Sequence, residues 1–145
     1  MDIRECLKND HRNALEIASK IAESDDGREA RALFNELKTE LTKHSRAEEQ
    51  IVYQALIDQG DDEEKMTAYE GTVEHSLVDV LLERLEAGRF GPKWTAHAKV
   101  VKELLEHHID EEEDEVFSAL GDKFDAEALD QLGQKFEKKK EAVEV

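Results

Sequence analysis

His44-Ser45-Arg46-Ala47-Glu48-Glu49-Gln50-Ile51-Val52-Tyr53-Gln54-Ala55-Leu56 has a second copy 64 residues on. It reads His108-Ile109-Asp110-Glu111-Glu112-Glu113-Asp114-Glu115-Val116-Phe117-Ser118-Ala119-Leu120. Both stretches fit H-x-x-x-E-E-x-x-V-[YF]-x-A-L. His11 and His75 are separated by the same 64 residues. The chain therefore carries two copies of one unit, each offering a histidine, then a histidine and a glutamate one helical turn apart. Two such units face to face would bring together four imidazoles and two carboxylates, the ligand set of a dinuclear metal site.

The surrounding sequence says what kind of frame holds them. Chain breakers cluster at Asp25-Asp26-Gly27, Gln59-Gly60-Asp61-Asp62, Gly88-Arg89-Phe90-Gly91-Pro92 and Gly121-Asp122 to Asp125. Between them the apolar residues recur with helical spacing. The pattern predicts helices over about 3–23, 28–58, 63–87 and 92–120, with a short fifth over about 126–141. Asp61 and Asp62 are placed to cap the third, and Pro92 to begin the fourth. Short connections imply antiparallel neighbours. The expectation is all-α: an antiparallel up-down-up-down four-helix bundle over about 3–120 with a short C-terminal fifth helix, forming a single domain over 1–145. Leu129, Leu132 and Phe136 share one face of the fifth helix and would pack it onto the bundle as a lid. The run Lys138-Lys139-Lys140 reads as compensation of the helix dipole.

Composition agrees and excludes some classes. Among 145 residues there are one Pro and seven Gly, and 37 acidic against 20 basic side chains give a net charge of −17. Such a charge argues against nucleic acid and against anionic membrane surfaces as partners. Cys6 is the only cysteine, so no internal disulfide forms, as in a reducing compartment. The N-terminus is polar and no apolar run approaches a membrane span. A cytoplasmic location is the expectation.

Histidines fall on the apolar stripes of the helices. The second helix has Leu37, Leu41, His44, Glu48, Ile51 and Ala55 at three-four spacing, and the fourth has Val101, Leu105, His108, Glu112, Val116 and Ala119. The first carries Leu7, His11, Ala14, Ala18 and Ile21, and the third His75, Val78, Leu82 and Leu85. Every bundle helix thus turns one histidine inward, and two turn a glutamate inward one turn later. Counting from the turns at about 1.5 Å per residue puts all four histidines within about one turn of the same level. A lone inward histidine is more often a satisfied core residue than a ligand. A buried carboxylate is costly unless paired or metal-bound, and two at matching positions are not explained by packing. The metal-ligand candidates are His11, His44, Glu48, His75, His108 and Glu112. His107 lies off the seam, His97 matches Leu33 of the repeat at the core edge, and Glu49 and Glu113 fall beside the site.

Imidazole with carboxylate suits Fe, Mn or Zn. Two metals sharing two glutamates, with an oxo or hydroxo bridge, keep an open position. Structural zinc closes its site with four ligands, so the open arrangement favours iron and O2 chemistry. No histidine has a glutamate three residues before it, which disfavours the ferritin-like di-iron pattern.

From about Asp10 to Leu120 the chain resembles the hemerythrin-like (HHE cation-binding) domain family. The resemblance rests on Asp10-His11, His44-x-x-x-Glu48-Glu49, Glu74-His75 and His108-x-x-x-Glu112-Glu113. It implies a four-helix bundle holding a non-haem di-iron centre with carboxylate and oxygen bridges, in proteins that bind O2, sense oxygen or iron, or handle peroxide and nitric oxide. The oxygen-carrying members have a further histidine one turn after the third-helix histidine, where this chain has Asp79. They place an aspartate five residues after the last histidine, where this chain has Glu112 at four and Glu113 at five. Asp79 is open to three readings: a seventh ligand, a partner orienting an imidazole, or a solvent-facing residue. The expected function is a di-iron protein engaging O2 or a related small oxidant as carrier, sensor or scavenger. The alternatives are an enzyme turning over peroxide or nitric oxide, or a non-redox metal-binding module.

Overall fold

In the computed structural model, which describes all 145 residues, the first helix, α1, spans Ile3–Glu23. The second rod begins as α2, Gly27–Glu48, passes through a π-helical turn at Glu49–Tyr53 and ends as α3, Gln54–Gln59. The third is α4, Asp62–Ala87. The fourth repeats the second: α5, Pro92–Glu111, a π-helical turn at Glu112–Val116, then α6, Phe117–Lys123. The short fifth helix is α7, Ala126–Ala142. No strand is present, and the helix boundaries fall close to the predicted ones, except that the fourth rod continues through Gly121 and Asp122 to Lys123 instead of stopping at about 120.

The starts of the helices follow from acidic caps. Asp2, Asp26 and Asp125 each accept from backbone N–H groups of a first turn, and Asp61 and Glu64 form a reciprocal capping box at 2.9 Å each way. The turn between α4 and α5 is closed by the Trp94 indole, which donates to the Leu85 carbonyl at 3.0 Å. The α1, α2–α3, α4 and α5–α6 rods run alternately up and down as an antiparallel helical bundle. α7 lies across α1 and α2.

The core is split into two apolar layers. One, at the end where α1 meets α2 and α4 meets α5, is built from residues such as Ile17, Ile21, Phe34, Leu82, Leu85 and Trp94. The other, at the opposite end, contains Ile3, Leu7, Val52, Leu56, Phe117, Leu120 and the α7 residues Leu129, Leu132 and Phe136. Cys6 is buried in this second layer, and burial pushes its thiol up to about 11, so it is an unreactive core residue. Between the two layers the buried side chains are polar: His11, His44, Ser45, Glu48, His75, His108 and Glu112. A layer of this chemistry in mid-bundle demands a compensating partner.

Candidate metal centre

The π-helical turns shape this layer. In a straight α-helix, residues five apart diverge by about 140°. The wider π turn reduces that divergence, so Glu48 and Tyr53 both face the interior, as do Glu112 and Phe117. Tyr53 and Phe117 occupy the same position in the repeat. The Tyr53 ring stacks on His75 at 5.5 Å and the Phe117 ring on His11 at 6.5 Å.

All six candidate residues converge. His11, His44, Glu48 and Glu112 form one set, and Glu48, His75, His108 and Glu112 another, each with its ligand atoms within 4.8 Å of one another. The two glutamates belong to both sets. Four imidazole Nε2 atoms point inward: His11 Nε2 lies 3.0 Å from Glu112 Oε1, and His75 Nε2 3.0 Å from Glu48 Oε1. His108 Nε2 is 3.1 Å from Glu112 Oε2 and His44 Nε2 3.6 Å from Glu48 Oε2.

Each Nδ1 is held from outside by a carboxylate. His44 meets Asp10 at 2.8 Å and His108 meets Glu74 at 2.7 Å. His75 meets Glu49 at 2.7 Å and His11 meets Glu113 at 2.8 Å. These are repeat mates in pairs, so the twofold pattern extends to a ring of four carboxylates. An Nδ1–H donated to a carboxylate fixes the tautomer and leaves Nε2 as the inward electron-pair donor.

Two of the ring carboxylates are backed by cations. Lys140 Nζ contacts both Asp10 oxygens at 2.9 Å. Arg46 holds both Glu49 oxygens, at 2.9 and 3.0 Å, and also pairs with Asp79. Asp79 is therefore the outer end of a chain Asp79–Arg46–Glu49–His75 and not a neighbour of the ligand atoms. Lys140 corrects the sequence reading of its helix end: it is a half-buried partner of Asp10, not only a dipole counter-charge. His107 is exposed beside Glu74 and Glu111, and His97 Nδ1 pairs with the Lys93 carbonyl, so neither joins the layer.

Carboxylates dominate the electrostatics of the layer. Burial alone would depress the His44 imidazolium, but Glu48 and Asp10 outweigh it and raise the pKa to about 10. At His108 burial is likewise outweighed by Glu112 and Glu74, giving about 11. Burial opposes ionisation of Glu112, yet its contacts with Glu48, His108 and His11 hold the carboxyl well below its usual range. His44 Nε2, His108 Nε2 and both Glu48 oxygens are buried without a hydrogen-bond partner. Buried orphans of this kind require an explanation, and cations seated among these four atoms would satisfy them. The donor set fits a metal pair.

Tyr53 is the site residue that sequence reasoning missed. Its hydroxyl donates to Glu112 Oε2 at 2.6 Å. The signal was the aromatic position of the repeat, where the two copies differ only by that hydroxyl. Gly71 of α4 makes room for it: a Cβ there would overlap the Tyr53 ring and hydroxyl. On the other side of the histidines lies a small cavity of about 30 Å³, where Ala14, Leu41, Val78, Leu105 and Ile109 meet the four imidazoles, Asp10, Glu40 and Ser45. A separate groove of about 530 Å³ runs between α3 and α7 and contains none of the six residues.

A helical bundle with a buried layer of four imidazoles and two shared carboxylates has the architecture of a cation-binding protein. Residues 2–120 match the family model of the hemerythrin HHE cation binding domain, and the chain belongs to that family. Among solved structures it is similar to a hemerythrin HHE cation binding domain-containing protein from Mycobacterium kansasii. That likeness has a TM-score of 0.84 and 29% identity, and covers 98% of this chain and 86% of the other. Among curated proteins it is similar to a DNA nickase of Nostoc sp., 23% identical over 148 residues. The match takes in 99% of this chain but 40% of the nickase, so the chain spans about two-fifths of that relative's length. No helix is long and apolar enough to cross a membrane.

Proposed function

We propose that the protein is a non-haem di-iron protein that engages O2 or a related small oxidant, as carrier, sensor or scavenger. The observation that carries this reading is the pair of interlocked ligand sets sharing Glu48 and Glu112. His11 and His44 would hold one iron, His75 and His108 the other, and the two glutamates would span both. Bound iron supplies Lewis-acid and one-electron redox chemistry, and the same donors also accept Mn or Zn.

The chain's own residues do the rest. Asp10, Glu49, Glu74 and Glu113 orient the imidazoles and raise their basicity. The cavity beside the histidines, about 30 Å³, has room for a diatomic molecule or peroxide next to the four imidazoles. A second reading, turnover of peroxide or nitric oxide, is supported by Tyr53, whose hydroxyl holds a proton against Glu112 at the buried edge. The strand-cutting named for the Nostoc relative is not carried over, since a net charge of −17 opposes phosphate contact.

Metal analysis and visible spectroscopy of aerobically purified protein, with and without azide, test the reading. Two irons per chain with bands that azide shifts are expected. One zinc, or no metal and a featureless spectrum after iron loading, would sink it. Peroxide consumption by the iron-loaded protein, abolished in His44→Ala and slowed in Tyr53→Phe, would select the enzymatic reading over carriage.

A further inference from the structure

The solvent side of α4 has no business being apolar. α4 is a bundle helix whose inner face already contributes His75, Val78, Leu82 and Leu85 to the interior. Yet Met66, Tyr69, Val73, Leu77 and Val80 on its outer face are between 48% and 60% exposed. They are five of the nine large apolar side chains exposed in the whole protein, so the exposure is concentrated and not the ordinary scatter of surface residues. At about 100° per residue, all five lie within about 40° of the direction of Val73. The stripe offers on the order of 500 Å² of apolar surface, the scale at which an exposed patch marks an interaction site.

Its pattern identifies the occupant. Asp62 and Arg84 lie in the same line and close the two ends, one acidic and one basic. From Asp62 through Met66, Tyr69, Val73, Leu77 and Val80 to Arg84 the steps are four, three, four, four, three, four. The stripe reads the same from either end, with Val73 at its centre. Two copies laid antiparallel about Val73 would match Met66 with Val80, Tyr69 with Leu77 and Asp62 with Arg84. Of the acidic residues flanking the centre, Glu74 is turned to His108, and Glu70 would be level with Ser76 and not with its own copy. An isologous contact requires self-complementarity of this kind, and three-four apolar spacing is the seam of a helix pair.

We propose that α4 is a homodimer interface, in which two copies of this chain pair antiparallel through the Met66–Val80 seam. Two outward α4 faces are buried, and the metal layers of both protomers stay enclosed in their own bundles. The interface is independent of which metal the centre holds.

Sedimentation equilibrium of the full chain tests this. A reversible monomer–dimer equilibrium is expected, and Val73→Glu, which sets two carboxylates against each other on the axis, is expected to weaken it at least tenfold. Unchanged far-ultraviolet circular dichroism would show that this variant folds. Orientation is read by oxidative cross-linking. Met66→Cys chains mixed with Val80→Cys chains are expected to cross-link to each other, and neither chain to itself. Cys6, 2% exposed, stays out of the reaction. Wild-type protein that remains monomeric at millimolar concentration overturns the proposal and assigns the seam to a different protein. Self-linking of Met66→Cys overturns the antiparallel pairing.

Discussion

The two glutamates shared by both ligand sets are the residues on which the site depends most. Glu48 and Glu112 are essentially inaccessible, and each approaches imidazoles from both halves of the chain. Glu48→Ala or Glu112→Ala is expected to lose most of the bound metal. Glu49→Gln, which keeps the ligands but weakens the grip on His75 Nδ1, is expected to cost about 10–100-fold in affinity. Metal content after dialysis against a graded chelator would rank the three, and full retention of two metals in either alanine variant would refute the shared role. Gly71 has a different part. Alanine in mid-helix normally gains about 1 kcal/mol over glycine. Here the added methyl would strike Tyr53, and the net effect of Gly71→Ala is expected to be a loss of about 1–3 kcal/mol. A urea denaturation curve decides the sign.

At the scale of elements, the helices and the inward histidines were legible because both are periodic signals. A three-four stripe survives in the sequence however the helices pack, and a repeat of 64 residues exposes His11 and His75 as mates. The two π-helical turns were not legible: Ile51 and Ala55 continue the three-four stripe of the sequence but are only partly buried, because the wider turn brings Val52, Tyr53 and Leu56 inward instead. Glu49 and Glu113 could be seen beside the site, and Asp10 and Glu74 only as the residues preceding His11 and His75; the attachment of all four to Nδ1 atoms depends on side-chain direction across helices. The apolar outer seam of α4 was hidden by its richer inner face. Lys140 is the clearest failure of local reading: its partner, Asp10, lies 130 residues away. The dipole reading makes Lys138, Lys139 and Lys140 equivalent. The contact makes Lys140 distinct: burial opposes its charge, but Asp10 outweighs that and raises its pKa. Lys140→Met is therefore expected to lower stability by about 1–2 kcal/mol, with Lys138→Met close to neutral. Thermal unfolding of the two variants side by side separates the readings.

The whole molecule in its metal-free form should respond to pH through the same layer. The ordinary histidine value is 6.5, and His44 and His108 are raised to about 10 and about 11. Their contribution to stability is complete below 6.5 and declines as the pH rises through those folded values, because the native state then binds more protons than the unfolded chain. The urea midpoint of metal-free protein is expected to fall steadily from neutral pH upward, and a flat profile would contradict the charged state of the imidazoles. Metal needs the neutral ring, so its uptake should expel protons into a weakly buffered solution and strengthen with rising pH. The layer also records how the chain is put together. His11 and His44 come from the first half and His75 and His108 from the second, while Glu113 reaches back to His11 and Glu49 reaches forward to His75. Each half has its own pair of rings but borrows a carboxylate and a clasp from the other. Two identical hairpins associating about a twofold axis would make this arrangement, and fusing them end to end would preserve it. Fusion also leaves the two copies free to differ. Where the rings stack on His75 and His11, the divergence amounts to a single oxygen atom, the one that turns Phe117's counterpart into Tyr53.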